Sequence, residues 1–139
     1  MSADDNKNLN LRWIQAFNER DWAAEAGCRT SDYVAHMQGA PGLLDSQGWA
    51  GFMGIFATAF PDGQIAVEGS ISEGDTVASR WTLTGTHRGD FMGVPPTGRE
   101  ITMRGIDFSR VVDGKIAEHW AQFDAIGVMQ QIGAIPATA

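Results

Sequence analysis

Near residue 63 the hydrophobic period of this chain changes, and that change limits the folds open to it. Before it, apolar residues recur at helical spacing. Leu9, Trp13, Ala16 and Phe17 follow i, i+4, i+7, i+8, and Trp49, Phe52, Met53, Phe56 and Phe60 form a second stripe. After it, apolar and polar residues alternate with period two. Ile65, Val67 and Ile71 mark one strand, Val77, Trp81 and Leu83 the next, and 101–112 and 115–123 two longer ones. Helices first, an antiparallel meander second and a closing helix over about 124–132 make an α+β order. A sheet of this length curls under its own twist. The expected architecture is therefore a curved mixed or antiparallel sheet with helices on its concave face, a cone-like α+β barrel.

Breakers sharpen the boundaries. Asp21 is placed to cap a short helix beginning at Trp22, and Asp45 or Ser46 to cap the helix carrying Trp49. Tyr33 to Met37 reads as a short strand that ends before Pro41-Gly42. Pro61-Asp62-Gly63 closes the helical half, and Glu73-Gly74-Asp75 is a turn. Asp113-Gly114 is a strong two-residue hairpin signal. No repeat or linker interrupts the pattern. The chain is read as one domain over 1–139, with about 1–7 and 136–139 as flexible tails.

That hairpin permits a geometric deduction. With a regular turn, Val112 pairs with Lys115, so Asp107 faces Trp120, Gly105 faces Gln122 and Met103 faces Asp124. Met103, Asp107, Ser109, Glu118, Trp120, Gln122 and Asp124 then share one face. Arg104, Ile106, Phe108, Arg110, His119 and Phe123 share the other. Only a β-bulge would break this rule. The first face mixes carboxylates and an amide with a large aromatic ring, as a ligand pocket does. The second, with Phe108 and Phe123, is expected to meet another copy of the chain, giving a homodimer or higher homo-oligomer.

Composition excludes several classes. A net charge of −7 with 10 basic residues and no basic cluster argues against nucleic acid as a partner. The single Cys28 permits no internal disulfide, and no Cys/His set has metal-ligand spacing. An acidic, polar start and the lack of a long apolar run predict a cytoplasmic protein with no membrane partner.

Longer motifs carry a resemblance. Phe91-x-Gly93-Val94-Pro95-Pro96-Thr97-Gly98, then Gly105-Ile106-Asp107-Phe108-x-Arg110, then Asp113-Gly114-Lys115-Ile116-x-Glu118-His119-Trp120-x-x-x-Asp124 resemble the SnoaL-like polyketide (ester) cyclase family, in the nuclear-transport-factor-two-like superfamily. Trp81-Thr82-Leu83-Thr84-Gly85-Thr86-His87 and Phe60-Pro61-Asp62 resemble it too. The likeness covers roughly residues 10–135. It implies a cone-like fold, and an enzyme without cofactor or metal that closes a ring on a hydrophobic, aromatic or polyketide-like carbonyl compound by intramolecular aldol condensation. It also implies that the acid/base aspartate at the end of the last strand is Asp124. An isomerase, dehydratase or hydrolase on the same fold, or a small-molecule binding module without catalysis, are the alternatives.

Each candidate has two readings. Asp124 is either a pocket carboxylate whose pKa is raised by desolvation or a helix N-cap, and the two are compatible. Asp107 stands four strand residues away, about 13 Å, too far for a shared proton; it reads either as a substrate-binding group or as a structural aspartate bonded to a neighbouring strand or helix end. His36 is placed at the pocket mouth as a hydrogen-bond donor, or at the surface. Trp13, Trp120, Gln122 and Met103 are expected to line the pocket. His119, on the opposite face, reads as structural or interfacial, and His87 as exposed. The pocket itself should measure a few hundred Å³, lie between the sheet and the first and third helices, and touch Asp124.

Overall fold

The computed structural model describes residues 2–37 and 42–136. Its elements run α1 (Ala3–Asn18), α2 (Trp22–Gly27), β1 (Arg29–Met37), β2 (Leu44–Asp45), α3 (Ser46–Ala59), β3 (Gln64–Glu73), β4 (Thr76–Thr86), β5 (Glu100–Val112), β6 (Lys115–Phe123) and α4 (Ala125–Gln131). The six strands form one sheet in the order β2-β1-β6-β5-β4-β3. All neighbours are antiparallel except β1 and β6, which run parallel. The sheet curves without closing, because β2 and β3 remain its two edges. The fold class is the expected α+β one, and the barrel stays open.

Helix boundaries follow local chemistry. Ser2 and Asp5 form a capping box, Asp5 N–H donating to Ser2 Oγ and Ser2 N–H to Asp5 Oδ2, both at 3.1 Å. Helix α1 therefore begins at Ala3, inside the segment 1–7 read from the sequence as a tail. Asp21, Asp45 and Asp124 cap α2, α3 and α4 through the backbone N–H of Ala24, Gly48 and Gly127. The first strand starts at Arg29, earlier than Tyr33. Pro41 and the end segment 137–139 lie outside the described residues.

The Asp113-Gly114 turn is as expected, with positive φ at both residues (50° and 76°). The ladder beyond it is not regular. Val111 pairs with Ile116, but Arg110 pairs with Glu118, so Ala117 is an extra residue in β6. From there every pair shifts by one: Ser109 opposes His119, Asp107 opposes Ala121 and Gly105 opposes Phe123. A one-residue shift exchanges the two faces of a strand. His119, Ala121 and Phe123 thus turn inward, and Glu118, Trp120 and Gln122 turn outward, opposite to the regular-hairpin expectation. A second bulge at Glu68 does the same in β3. Val67 pairs with Trp81 and Gly69 with Arg80, which leaves Ile71 on the outer face at 73% exposure.

The inner face of β5 alternates without a break: Ile101, Met103, Gly105, Asp107, Ser109 and Val111 are all buried. Two apolar clusters lie on it. One gathers Phe17, Phe56, Phe60, Trp81, Leu83, Phe91 and Met103, the other Leu9, Trp13, Tyr33, Trp49, Val77 and Ile116. A large side chain buried in such a cluster contributes roughly 1.5–3 kcal/mol. Helix α1 lies against β3 and β4, and α3 against β1.

Candidate active site

A cavity lies where the two clusters meet, between α1, α2, α3 and the inner sheet face. Its walls include Trp13, Phe17, Trp49, Phe52, Phe56, Trp81, Met103 and Phe123. The volume open to the centre of a water molecule is about 80 Å³, room for several waters and less than the few hundred Å³ expected. Its ionisable lining groups are Glu25, Asp107 and His119.

Asp107 and His119 form the polar centre of this site. Asp107, on β5, is 7% exposed, and His119, on β6, is 3% exposed. His119 Nε2 lies 3.2 Å from Asp107 Oδ2, and His119 Nδ1 lies 3.4 Å from the Tyr33 hydroxyl. One neutral tautomer satisfies both contacts: Nε2–H donates to the carboxylate and Nδ1 accepts from Tyr33 O–H. Burial pushes the Tyr33 phenol far above its ordinary value, with Glu25 and Asp107 adding to the rise, so the hydroxyl keeps its proton. Trp13 and Trp49 meet the His119 ring nearly perpendicularly, at centroid distances of 5.0 and 5.1 Å. An isolated carboxylate in such a place would cost several kcal/mol, and the imidazole N–H offsets part of that.

Of the residues singled out in the sequence, Trp13, Met103 and Asp107 line the cavity. Trp120, Gln122 and His36 do not. Trp120 and Gln122 are turned outward by the bulge at Ala117, and His36 follows Trp120 because the two are partners in the β1–β6 ladder. The His36 and Trp120 rings stack at 4.9 Å on the outer face. His36 Nε2 lies 2.8 Å from Glu118 Oε2, and Arg110 Nε donates to Glu118 Oε1 at 3.3 Å. These two contacts, His36's first, hold the Glu118 carboxyl below the usual carboxylate range.

Asp124 is exposed, outside the cavity lining, and its Oδ1 accepts the Gly127 N–H at 2.8 Å. It caps α4 and, with Gln122 and Arg104, lines a separate open pocket on the outer side of the sheet rather than the cavity beneath the helices. The exposed place expected of His87 is corrected: it is fully buried, and its Nδ1 accepts the Thr97 N–H at 3.3 Å.

Sequence reasoning missed His119 and Glu25. The signal for His119 was present. Ile116 and Ala117 are adjacent apolar residues that break alternation, and a bulge there sets Glu118 opposite Arg110 instead of leaving Arg110 opposite Ala117. For Glu25 the hint was its i, i+4 spacing to Arg29, with which it forms a buried ion pair at 2.8 Å.

Among the described residues no group of three His, Cys, Asp or Glu side chains is arranged to hold a metal ion, and no helix is long and apolar enough to cross a membrane.

Comparison with known proteins agrees with this framework. The SnoaL-like polyketide cyclase family model matches residues 7–132. AclR of Streptomyces galilaeus, a candidate hydroxylase, superimposes with a TM-score of 0.91 at 32% identity, covering 99% of this chain and 87% of AclR. IdmH of Streptomyces antibioticus, a candidate polyketide cyclase, gives 0.84 at 34% identity over 92% of this chain and 98% of IdmH. The aklanonic acid methyl ester cyclase DnrD of Streptomyces peucetius is 38% identical over 60 residues, a match that spans 43% of this chain and only 41% of DnrD. With the family model covering nearly the whole sequence and two relatives above 30% identity covering almost all of it, the chain belongs to the SnoaL-like polyketide cyclase family.

Proposed function

We propose that this chain is an acid/base enzyme that closes a carbon ring by an intramolecular aldol-type reaction on a hydrophobic carbonyl compound, with Asp107 as the base. The observation that carries the reading is the buried Asp107–His119 pair, set into the wall of an otherwise apolar cavity. Both His119 nitrogens are engaged, by Asp107 and Tyr33, so the carboxylate is the group suited to take a proton. Asp107 removes a proton next to a carbonyl, and the enolate carbon attacks a second carbonyl of the same molecule. One carbon–carbon bond forms, and the alkoxide takes the proton back from Asp107. His119 holds the carboxylate in place throughout. The step consumes nothing and needs no cofactor.

The methyl ester cyclases among the relatives support a neutral ester or ketone as substrate. So does a cavity whose carboxylates would repel a free acid. An aklanonic-type methyl ester is the first compound to test. Asp107→Asn should lower turnover about 10²–10⁴-fold, the typical worth of general acid–base catalysis, at a nearly unchanged melting temperature. Asp124→Asn should leave both unchanged, because Asn caps a helix about as well as Asp. Full activity in Asp107→Asn, or its loss in Asp124→Asn, refutes the assignment.

The likeness to AclR, at 32% identity along 99% of this chain, favours one second reading, hydroxylation. It would begin with the same deprotonation. It further requires dioxygen as the oxygen source and a two-electron reductant as co-substrates, one oxygen atom entering the product and the other leaving as water. Product mass separates the two, since ring closure leaves it unchanged whereas hydroxylation adds oxygen.

A further inference from the structure

Glu25 is the one ionisable group of the cavity wall that the aldol reading leaves without a task. It sits on α2, a single short helix held in place by the Asp21 cap, and it is as deeply buried as His119. Its Oε1 accepts two indole N–H groups, from Trp13 at 3.1 Å and Trp49 at 2.7 Å. Its Oε2 accepts Arg29 Nε at 3.1 Å and Nη2 at 2.8 Å. Four donors fill a carboxylate's hydrogen-bonding capacity. A carboxylate so engaged has no lone pair to offer a substrate, and what it does instead is join α1, α2, β1 and α3 at one point.

The groups it joins are those that surround His119. Trp13 and Trp49 both pack against the imidazole edge to face, side by side, and the shared oxygen keeps their ring centroids 5.5 Å apart. Arg29 lies 5.3 Å from the centroid of the Tyr33 ring, and Tyr33 supplies the hydroxyl at Nδ1. Arg29 also donates through Nη1 to the Ser46 carbonyl at 3.0 Å and contacts its hydroxyl, fixing the first turn of the helix that carries Trp49. Apart from Asp107, each of these neighbours of the imidazole is held by Glu25, directly or through Arg29.

We propose that Glu25 is a positioning residue: by tying Trp13, Trp49 and Arg29 to one carboxylate, it locks the His119 ring in the orientation and tautomer that present Nε2–H to Asp107. This inference rests on the acid/base reading of the pair, but its test needs no substrate. Glu25→Gln keeps the size of the side chain. Whichever way the amide turns, its NH₂ faces either the two indoles or the guanidinium, which are donors only, so at least two of the four hydrogen bonds are lost.

Two-bond ¹H–¹⁵N spectra of the imidazoles report the tautomer, and His119→Gln identifies which signals belong to His119. In the wild type His119 should show one tautomer, protonated at Nε2. In folded Glu25→Gln its two nitrogens should move toward each other in shift as the second tautomer gains population. If that variant does not fold, Trp49→Phe, which deletes one donor and keeps an aromatic ring, should move them in the same direction by a smaller amount. Unchanged His119 shifts in whichever variant folds, or mixed tautomers in the wild type, overturn the proposal. If Asp107→Asn retains full turnover while the shifts move as expected, the acid/base reading falls and the positioning role of Glu25 stands.

Discussion

Gly105 offers a direct measurement of how tightly the cavity wall is built. It lies on β5 between Trp81 and Phe123 in the ladder, and the Trp81 indole lies across it. A Cβ added at Gly105 would stand 2.3 Å from Trp81 Cζ2 and 2.7 Å from Cε2 and Cη2. Carbon atoms in contact prefer about 3.5–4.0 Å, so in Gly105→Ala the ring must move by an ångström or more. Trp81 belongs to a packed cluster with Phe56, Leu83 and Met103, which leaves the cavity as the space to move into. Overpacking of this kind costs about 1–3 kcal/mol. For 139 residues, an unfolding entropy near 2.1 cal/mol/K per residue converts that to a fall of about 3–10 °C in melting temperature. The clashing atoms all belong to the six-membered ring of the indole, which a phenylalanine side chain is too short to reproduce. Trp81→Phe should therefore absorb the added methyl, and a double-mutant cycle read by calorimetry should give a coupling of about 1 kcal/mol or more. Equal costs for Gly105→Ala with and without the Trp81→Phe substitution would refute the steric account.

Two further outcomes follow from groups on opposite faces of the sheet. Tyr33 is the chain's single tyrosine and its phenol is raised by burial. Its contribution to stability is therefore complete below the ordinary value of about 10 and is lost as the pH climbs toward the raised one; tyrosinate absorbance should appear only together with alkaline unfolding, and a separate, earlier ionisation in the folded protein would contradict the burial. On the outer face Ile106 and Phe108 are 60% and 45% exposed, with the Phe108 ring 5.8 Å from that of Trp120, and we expect this patch to pair with a second copy of the chain; light scattering at micromolar concentration should give a dimer that Phe108→Asp converts to monomer, and a monomeric wild type removes the idea.

How far the site could be read from the sequence turns on one residue. Strand identity in β4 and β5 needed only period two, and the turn between β5 and β6 needed only Asp113-Gly114. The first cavity-facing helix needed only the stripe at Leu9, Trp13 and Phe17. Each is a local signal, set by side-chain periodicity or by the demand for positive φ. Ala117 is not local in that sense. Whether a ladder keeps its register or bulges depends on which pairing buries more apolar surface and matches more charge across two strands, a comparison between whole faces. In the bulged register β6 contributes Ile116, Ala117, Ala121 and His119 to the interior and sets Glu118 beside Arg110. In the regular one it would bury Glu118 and Gln122 and leave His119 outside. The cost of desolvating an unpaired carboxylate and an amide favours the bulge, and the bulge brings His119 beside Asp107. The extra residue that the regular hairpin rule omits thus creates the buried Asp107–His119 pair, and it is also what removes Asp124 from the face that Asp107 shares.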